Sequence, residues 1–142
     1  MRTVSLSLLA AAALGIAGCG GSNYKNQPRP ATPIDVGAAI NQKRITVSPT
    51  NFGAGPVVLI ITNQSTVSQD VRVRSEPNPG VQSKCPPVDQ TTGPINPQDT
   101  AELKVDLCEG AYNVRTAANT VKGARLVVGT PRTSAQNQVL QP

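Results

Sequence analysis

Three cysteines are the side chains with the most distinctive chemistry in this 142-residue chain, and histidine is absent altogether. General acid–base catalysis near neutral pH usually relies on histidine or on a tuned pair of carboxylates. The carboxylates here, such as Asp99 and Glu102, are spaced as expected for solvated strand faces and turns. A serine nucleophile would have no histidine to activate it. The sequence therefore predicts that the protein is not an enzyme.

The first cysteine follows a segment with the character of an export signal. Met1-Arg2 is a short positive start, and the apolar run from Val4 to Ile16 is too short for a permanent membrane span. Ile16-Ala17-Gly18-Cys19 resembles the bacterial lipobox. That resemblance implies that a helical signal peptide, residues 1–18, is cleaved and that the Cys19 sulfur is lipidated. We therefore expect a lipoprotein that carries palmitate and is anchored by its lipid to the extracytoplasmic side of the cell membrane. An ordinary secretory signal cut elsewhere is the alternative.

The other two cysteines form a candidate pair. An odd number of cysteines in an exported protein suggests that one is modified, and assigning Cys19 to lipid leaves Cys85 and Cys108. An oxidising compartment favours a disulfide between them, which would stabilise the fold by roughly 3 kcal/mol. A metal site or a redox-active dithiol is less favoured because the pair is widely spaced and lacks the C-x-x-C motif.

The charge of the chain is mild and dispersed. Lys and Arg number 13 and Asp and Glu number 8, a net charge of +5. Loss of residues 1–18 removes Arg2, which leaves 12 against 8, or +4. Lys43-Arg44 is the one adjacent basic pair, and the three aromatic residues offer no platform for stacking bases. The sequence predicts solvated charges and no nucleic-acid partner.

Composition divides the chain into four segments. Residues 1–18 are the signal peptide, 19–33 the lipidated cysteine with a flexible Pro-rich tether, 34–129 one small domain, and 130–142 a polar, disordered tail. Apolar residues two apart predict strands within 44–47, 71–74, 101–107, 112–114 and 126–128, and a nearly continuous β-branched run predicts a buried strand within 56–62. Breaks are predicted at Gly53–Pro56, at Glu109-Gly110 and across the Pro-rich stretch 77–97. The pattern favours an all-β sandwich.

The order of these pieces resembles the cupredoxin-like domains of exported bacterial proteins. The resemblance is carried by ITVSPTNFGAGPVVLIITNQSTVSQDVRV, PINPQDTAELKVDLCEGAYNVRT and KGARLVVG. In that family a Gly-Pro-Val strand ends in Asn, and a later alternating strand leads to a Gly-x-Tyr turn; residues 55–63, 96–107 and 110–112 match these parts. The resemblance implies a Greek-key, cupredoxin-like β-sandwich. An immunoglobulin-like sandwich is the alternative.

The copper ligands of that family are missing. A type I copper site needs two His, one Cys and usually a weak axial Met. Gln69 stands about where the resemblance places the first His, Thr116 where it places the Cys, and Val121 near the Met. The loop 117–122 also lacks the second His. We expect no metal and no other cofactor.

Two functions fit a domain of this kind. The first is a metal-free binding or structural module at the cell envelope, and the second is an accessory role in envelope copper or redox traffic. In the family the ligand-binding end is formed by two loops, here 64–69 and 116–122. For the first function, the predicted contacts to an envelope protein or a polar ligand are Gln64, Ser65, Gln69, Thr116, Asn119 and Thr120. The alternatives are that these loops only face solvent, or that the partner binds the Pro-rich stretch 77–97 instead.

Overall fold

A computed structural model describes residues 29–77, 85–118 and 120–134, and this part of the chain contains eight strands and no helix. None of it could therefore cross a membrane as a helix. The signal peptide, Cys19 and Asn119 lie outside the described residues. The strands are β1 Ile34–Ile40, β2 Ile45–Ser48, β3 Asn51–Asn63, β4 Gln69–Ser75, β5 Asp89–Ile95, β6 Thr100–Leu107, β7 Gly110–Thr116 and β8 Ala124–Pro131.

The strands form two sheets that meet in β3. In the first sheet β3 lies between β1 and β6, and β2 pairs with the outer side of β1. In the second, the start of β3 pairs with β8, followed by β7, β4 and β5. The β1–β3 and β3–β8 pairs are parallel, unlike the fully antiparallel sheets of the immunoglobulin-like alternative. The prediction of an all-β sandwich is confirmed.

Both sheets contribute to one core, and the alternating patterns decide which side chains enter it. In β6, Leu103, Val105 and Leu107 are buried, while the charged residues between them are exposed. Val71 and Val73 of β4 are likewise buried. Successive side chains of a strand point to opposite faces, so a period of two places one apolar row against the core. The predicted alternation of these two strands is confirmed.

The predicted break at Gly53–Pro56 is wrong. β3 runs through all four residues, from pairing with β8 at Asn51–Ala54 to pairing with β6 from Gly55 onward. Gly55 has a φ of 133°, which side chains rarely adopt, and it supplies the bend where the strand changes sheets. Glycine and proline here mark a bend within a strand rather than a turn between strands. We call residues 53–56 the β3 bend.

The Pro-rich stretch 77–97, predicted to be a break between strands, contains a strand. β5 lies inside it and pairs with β4, although Pro94 and a positive φ at Gly93 interrupt its regularity. Proline is tolerated there because β5 is an edge strand.

The last strand extends into the predicted tail. β8 reaches Pro131, and the chain is described as far as Ser134, which is buried. Residues 135–142 of the predicted tail lie outside the described part.

Candidate functional site

The structure brings the two predicted loops to one end of the sandwich, which we call the loop end. Gln69 begins β4 and Thr116 ends β7, and these strands are neighbours with Val71 opposite Thr116. The Ala117 amide donates to the Asp70 carbonyl at 3.1 Å, which continues the pairing past the end of β7. Gln69 and Thr116 are each only 7% exposed. Gln69 and Thr116 therefore lie on neighbouring strands at the same end of the sandwich.

A buried asparagine organises the first of these loops. Asn63 is fully buried, and its Nδ2 donates to the carbonyls of Val67 and Ile95, each at 2.8 Å. Its Oδ1 accepts from the backbone amide of Ser65 at 2.9 Å and from the Ser65 hydroxyl at 2.7 Å. Both N–H donors of the side-chain amide and both acceptor positions of its oxygen are thus used inside the protein. The network fixes the path of residues 64–68 and connects it to the end of β5.

Backbone bonds from the same asparagine extend the network to the start of β6. The Asn63 amide donates to the Asp99 carbonyl at 2.9 Å, and its carbonyl accepts from the Gln98 amide at 2.7 Å. The adjacent Gln64 amide donates to the Ile40 carbonyl at 2.7 Å. Asn63 and Gln64 together therefore connect the ends of β1, β3 and β5 and the start of β6 at the loop end, and the buried bonds of Asn63 are costly to lose.

The second loop is closed by its own short contacts. The Thr116 hydroxyl donates to the Ala118 carbonyl at 2.9 Å, and the Val121 amide donates to the same carbonyl at 3.3 Å. Val121 is 7% exposed and belongs to the core cluster. The Lys122 carbonyl then accepts from the Ile45 amide at 2.8 Å, which links this loop to β2. An aliphatic side chain therefore occupies the position that the resemblance assigns to an axial ligand.

The predicted contact residues divide into two groups. Ser65, Gln69 and Thr116 are buried, and the hydroxyls of Ser65 and Thr116 bond within the protein. Gln64 and Thr120 are exposed. Asn119 lies outside the described residues. Among the described members of the predicted set, Gln64 and Thr120 are thus the two that can meet a partner without rearrangement of the loops.

The loop end does not fit a copper ion. In the described ranges no group of three or more His, Cys, Asp and Glu side chains lies close enough to hold a metal. The residues that the resemblance equates with copper ligands, Gln69, Thr116 and Val121, offer an amide, a hydroxyl and an aliphatic group, whereas a type I site requires imidazole and thiolate ligands. The Thr116 hydroxyl is also committed to a backbone carbonyl. No redox step can be derived from this set of residues.

The predicted cysteine pair is confirmed as a disulfide at the opposite end of the domain. Cys85 and Cys108 are bonded, with their Cα atoms 6.3 Å apart. Cys108 directly follows β6, and Cys85 precedes β5, so the bond joins two strands that belong to different sheets. The Tyr112 hydroxyl donates to the Cys108 carbonyl at 2.9 Å, and burial raises the pKa of this phenol. A buried tyrosine thus supports the same corner.

A charged surface covers the outside of the second sheet. Arg72 pairs with Asp89 through two hydrogen bonds, and Arg125 pairs with Glu76 at 3.0 Å. The bond to Arg72 lowers the pKa of Asp89. These pairs are exposed and contribute little to stability, because solvent screens them. Arg72 is an exposed residue of β4, as expected for a solvated charge.

Sequence reasoning missed a second organising residue, Arg132. Its guanidinium donates to three backbone carbonyls, from Nε to Gly53 at 3.0 Å, from Nη1 to Thr32 at 2.7 Å and from Nη2 to Pro56 at 2.6 Å. It thereby joins the chain just after β8 to the β3 bend and to the segment before β1. No local sequence signal marks this role, because Gly53 and Pro56 are more than 70 residues away.

The missed role of Asn63 does have a signal in the sequence. Asn63 continues the alternating row of Val57, Leu59 and Ile61, all of which are buried. A polar residue in phase with a buried row must have its hydrogen bonds satisfied inside the protein. The amide at this position could therefore have been identified as part of a buried network.

Comparisons with known proteins give matches among solved structures alone: no family model and no curated protein matches the chain. Auracyanin A, a blue copper protein from Chloroflexus aurantiacus, is 15% identical, with 69% of this chain and 100% of that chain covered and a TM-score of 0.49. Reduced rusticyanin is 17% identical, with coverage of 68% and 76% and a TM-score of 0.48. Auracyanin from Roseiflexus castenholzii is 10% identical, with coverage of 71% and 99% and a TM-score of 0.47.

Proposed function

We propose that this protein is an exported lipoprotein, held on the extracytoplasmic side of a membrane by acylated Cys19. Its cupredoxin-like domain carries no metal and acts as a binding or structural module at the cell envelope. The observation that carries the proposal is the closed network around Asn63, which fills the loop end with satisfied amide and hydroxyl groups instead of metal ligands.

The disulfide supports export and, indirectly, the anchor. A bond between Cys85 and Cys108 persists in oxidising compartments outside the cytoplasm. Because Cys85 and Cys108 are bonded to each other, Cys19 is the third cysteine, and it directly follows Ile16-Ala17-Gly18. The first strand, β1, begins at Ile34, so about 14 residues lie between Cys19 and this strand. In a polyproline II conformation a segment of this length spans roughly 40 Å.

Cys19→Ser should release the protein from the membrane or leave it as an unprocessed precursor, because serine cannot receive the thioether lipid. The measurement is membrane fractionation followed by mass determination of each fraction. Ser22→Ala, which leaves Ile16-Ala17-Gly18-Cys19 intact, is the control and should remain in the membrane pellet with a lipid mass increment. Mature Cys19→Ser protein in the pellet would show that Cys19 is not the anchor.

The metal-free part of the proposal predicts the result of a copper titration. The Cys19→Ser chain, kept under non-reducing conditions, has no free thiol and no histidine. After incubation with Cu(II) and desalting, it should retain far less than one equivalent of copper and show no copper–thiolate absorption. Retention of one equivalent would overturn the proposal and favour the alternative role in envelope copper traffic.

We further propose that a partner meets the loop end through Gln64 and Thr120. Both side chains are exposed, and both stand on loops that internal hydrogen bonds hold in place. A loop that is already held in place loses little conformational entropy on binding. The favourable free energy of polar contacts made there is therefore not cancelled by the cost of ordering the loop. Their amide and hydroxyl groups suit a polar partner such as another envelope protein.

A further inference from the structure

One long strand edge of the domain has no strand beside it among the described residues. β6 pairs with β3 from Gly55–Leu107 to Thr62–Thr100, and no described strand pairs with its other side. The other two edge strands are poor templates, since β2 has four residues and β5 contains Gly93 and Pro94. β6 has eight residues and neither glycine nor proline. It is therefore the edge best suited to accept another strand.

The hydrogen bonds of β3 determine which backbone groups of β6 are open. The Asn63 amide donates to the Asp99 carbonyl, so odd-numbered residues of this strand direct their backbone groups toward β3. Alternation along an antiparallel pair then turns the N–H and C=O of Thr100, Glu102, Lys104 and Asp106 toward the open side. The same four residues have exposed side chains. A strand added here would thus form backbone bonds at exposed positions, three of which are charged.

These constraints leave few ways for a second copy of β6 to pair in an antiparallel arrangement. Even-numbered residues must lie opposite even-numbered residues, because only they have open backbone groups. A pair centred on Glu102 or on Lys104 would place like charges opposite each other, which is destabilising. A pair centred on Leu103 instead places each Glu102 opposite Lys104 of the second copy. The one other complementary register, centred on Val105, shortens the overlap within β6 from seven residues to five.

We propose that two copies of this chain associate through β6, antiparallel and with Leu103 opposite Leu103 of the second copy. The symmetric pair contains two Glu102–Lys104 contacts on the solvent face, and Thr100 lies opposite Asp106 at both ends. The first sheets of the two copies then form one continuous sheet of eight strands, with both β6 edges covered. The proposal does not depend on the membrane anchor or on the absence of copper.

The test is sedimentation equilibrium of the full chain in mild detergent over a range of concentrations. The protein should show a reversible increase to twice the mass of one chain. Glu102→Lys and Lys104→Glu should each weaken the dimer about tenfold or more, because each places like charges opposite each other at two symmetric positions. The double variant Glu102→Lys/Lys104→Glu should restore dimerisation, since the charges are again complementary.

Asp106→Lys is the matched control for the register. In the Leu103-centred pair Asp106 lies opposite Thr100, so this variant should dimerise as the original chain does. A weakened dimer with Asp106→Lys would instead indicate the Val105-centred register and overturn the one proposed. A protein that remains monomeric up to about 0.5 mM, where even weak association becomes visible, would overturn the dimer itself. So would a dimer that neither Glu102→Lys nor Lys104→Glu weakens. Because the three side chains are exposed, unchanged thermal unfolding of the variants verifies that they fold.

Discussion

Asn63→Ala should lower the free energy of unfolding by about 3–5 kcal/mol, a large part of the stability of a small domain. The change removes four side-chain hydrogen bonds, and it leaves the Ile95 carbonyl and the Ser65 amide in a buried environment without that partner. An unsatisfied buried group costs about 1–3 kcal/mol, and several are created together. Chemical denaturation at pH 7 measures the effect.

Gln64→Ala is the matched control, because the neighbouring Gln64 is exposed. Its backbone bond to Ile40 does not depend on the side chain, so the free energy of unfolding should change by less than about 0.5 kcal/mol. Equal effects of the two substitutions would show that the Asn63 network does not hold the loop end together.

Asn63→Asp separates the hydrogen-bond account from a simple loss of packing. The introduced carboxyl keeps an acceptor for Ser65 but faces the carbonyl oxygens of Val67 and Ile95. Burial and those two oxygens should raise its folded pKa above its unfolded value of about 3.9. A raised folded pKa gives stability that is present below about pH 4 and is lost as the pH rises through the folded pKa. The free energy of unfolding of Asn63→Asp, measured relative to that of Asn63→Ala, should therefore be larger in acid than at neutral pH.

The strands that follow an alternating pattern could be predicted from the sequence, because burial alone decides them. β6 is the clearest example, with Leu103, Val105 and Leu107 inward. The resemblance to cupredoxin-like domains also placed Gln69 and Thr116 at one end, where the structure has them on neighbouring strands. Position along the chain was sufficient there, since Gln69 begins β4, Thr116 ends β7, and these strands pair antiparallel from Val71–Thr116 to Ser75–Tyr112.

Other features depend on distant contacts that a local pattern does not contain. Gly53–Pro56 has the composition of a turn, but it continues β3 because Arg132 bonds the carbonyls of this bend from the far end of the chain. β5 was hidden in a Pro-rich stretch, and β4 provides the partner that makes it a strand. Propensity is a weak guide where tertiary pairing supplies the hydrogen bonds.

Arg132→Ala should lower the free energy of unfolding by about 2–4 kcal/mol, because three charge-assisted hydrogen bonds to carbonyl oxygens disappear together. Arg132→Lys should recover only part of this loss, since an ammonium cannot reproduce the planar fork of the guanidinium. Arg125→Ala is the control: its ion pair with Glu76 is exposed and should contribute no more than about 1 kcal/mol. If Arg132→Lys were as stable as the original chain, the planar geometry of the guanidinium would not be needed for stability.

Gly53→Ala tests whether the β3 bend and Arg132 act as one unit. A Cβ at this position would lie 2.7 Å from the Arg132 Cγ and 2.8 Å from the Thr130 carbonyl oxygen, so the side chain or the backbone must shift. The substitution should therefore destabilise the original chain more than it destabilises Arg132→Ala, where only the backbone contact remains. Gly37→Ala, whose Cβ would meet nothing closer than the Ser48 oxygen at 3.8 Å, should be tolerated. A double-mutant cycle measures the coupling, and strict additivity of Gly53→Ala and Arg132→Ala would show that the two residues are not packed together.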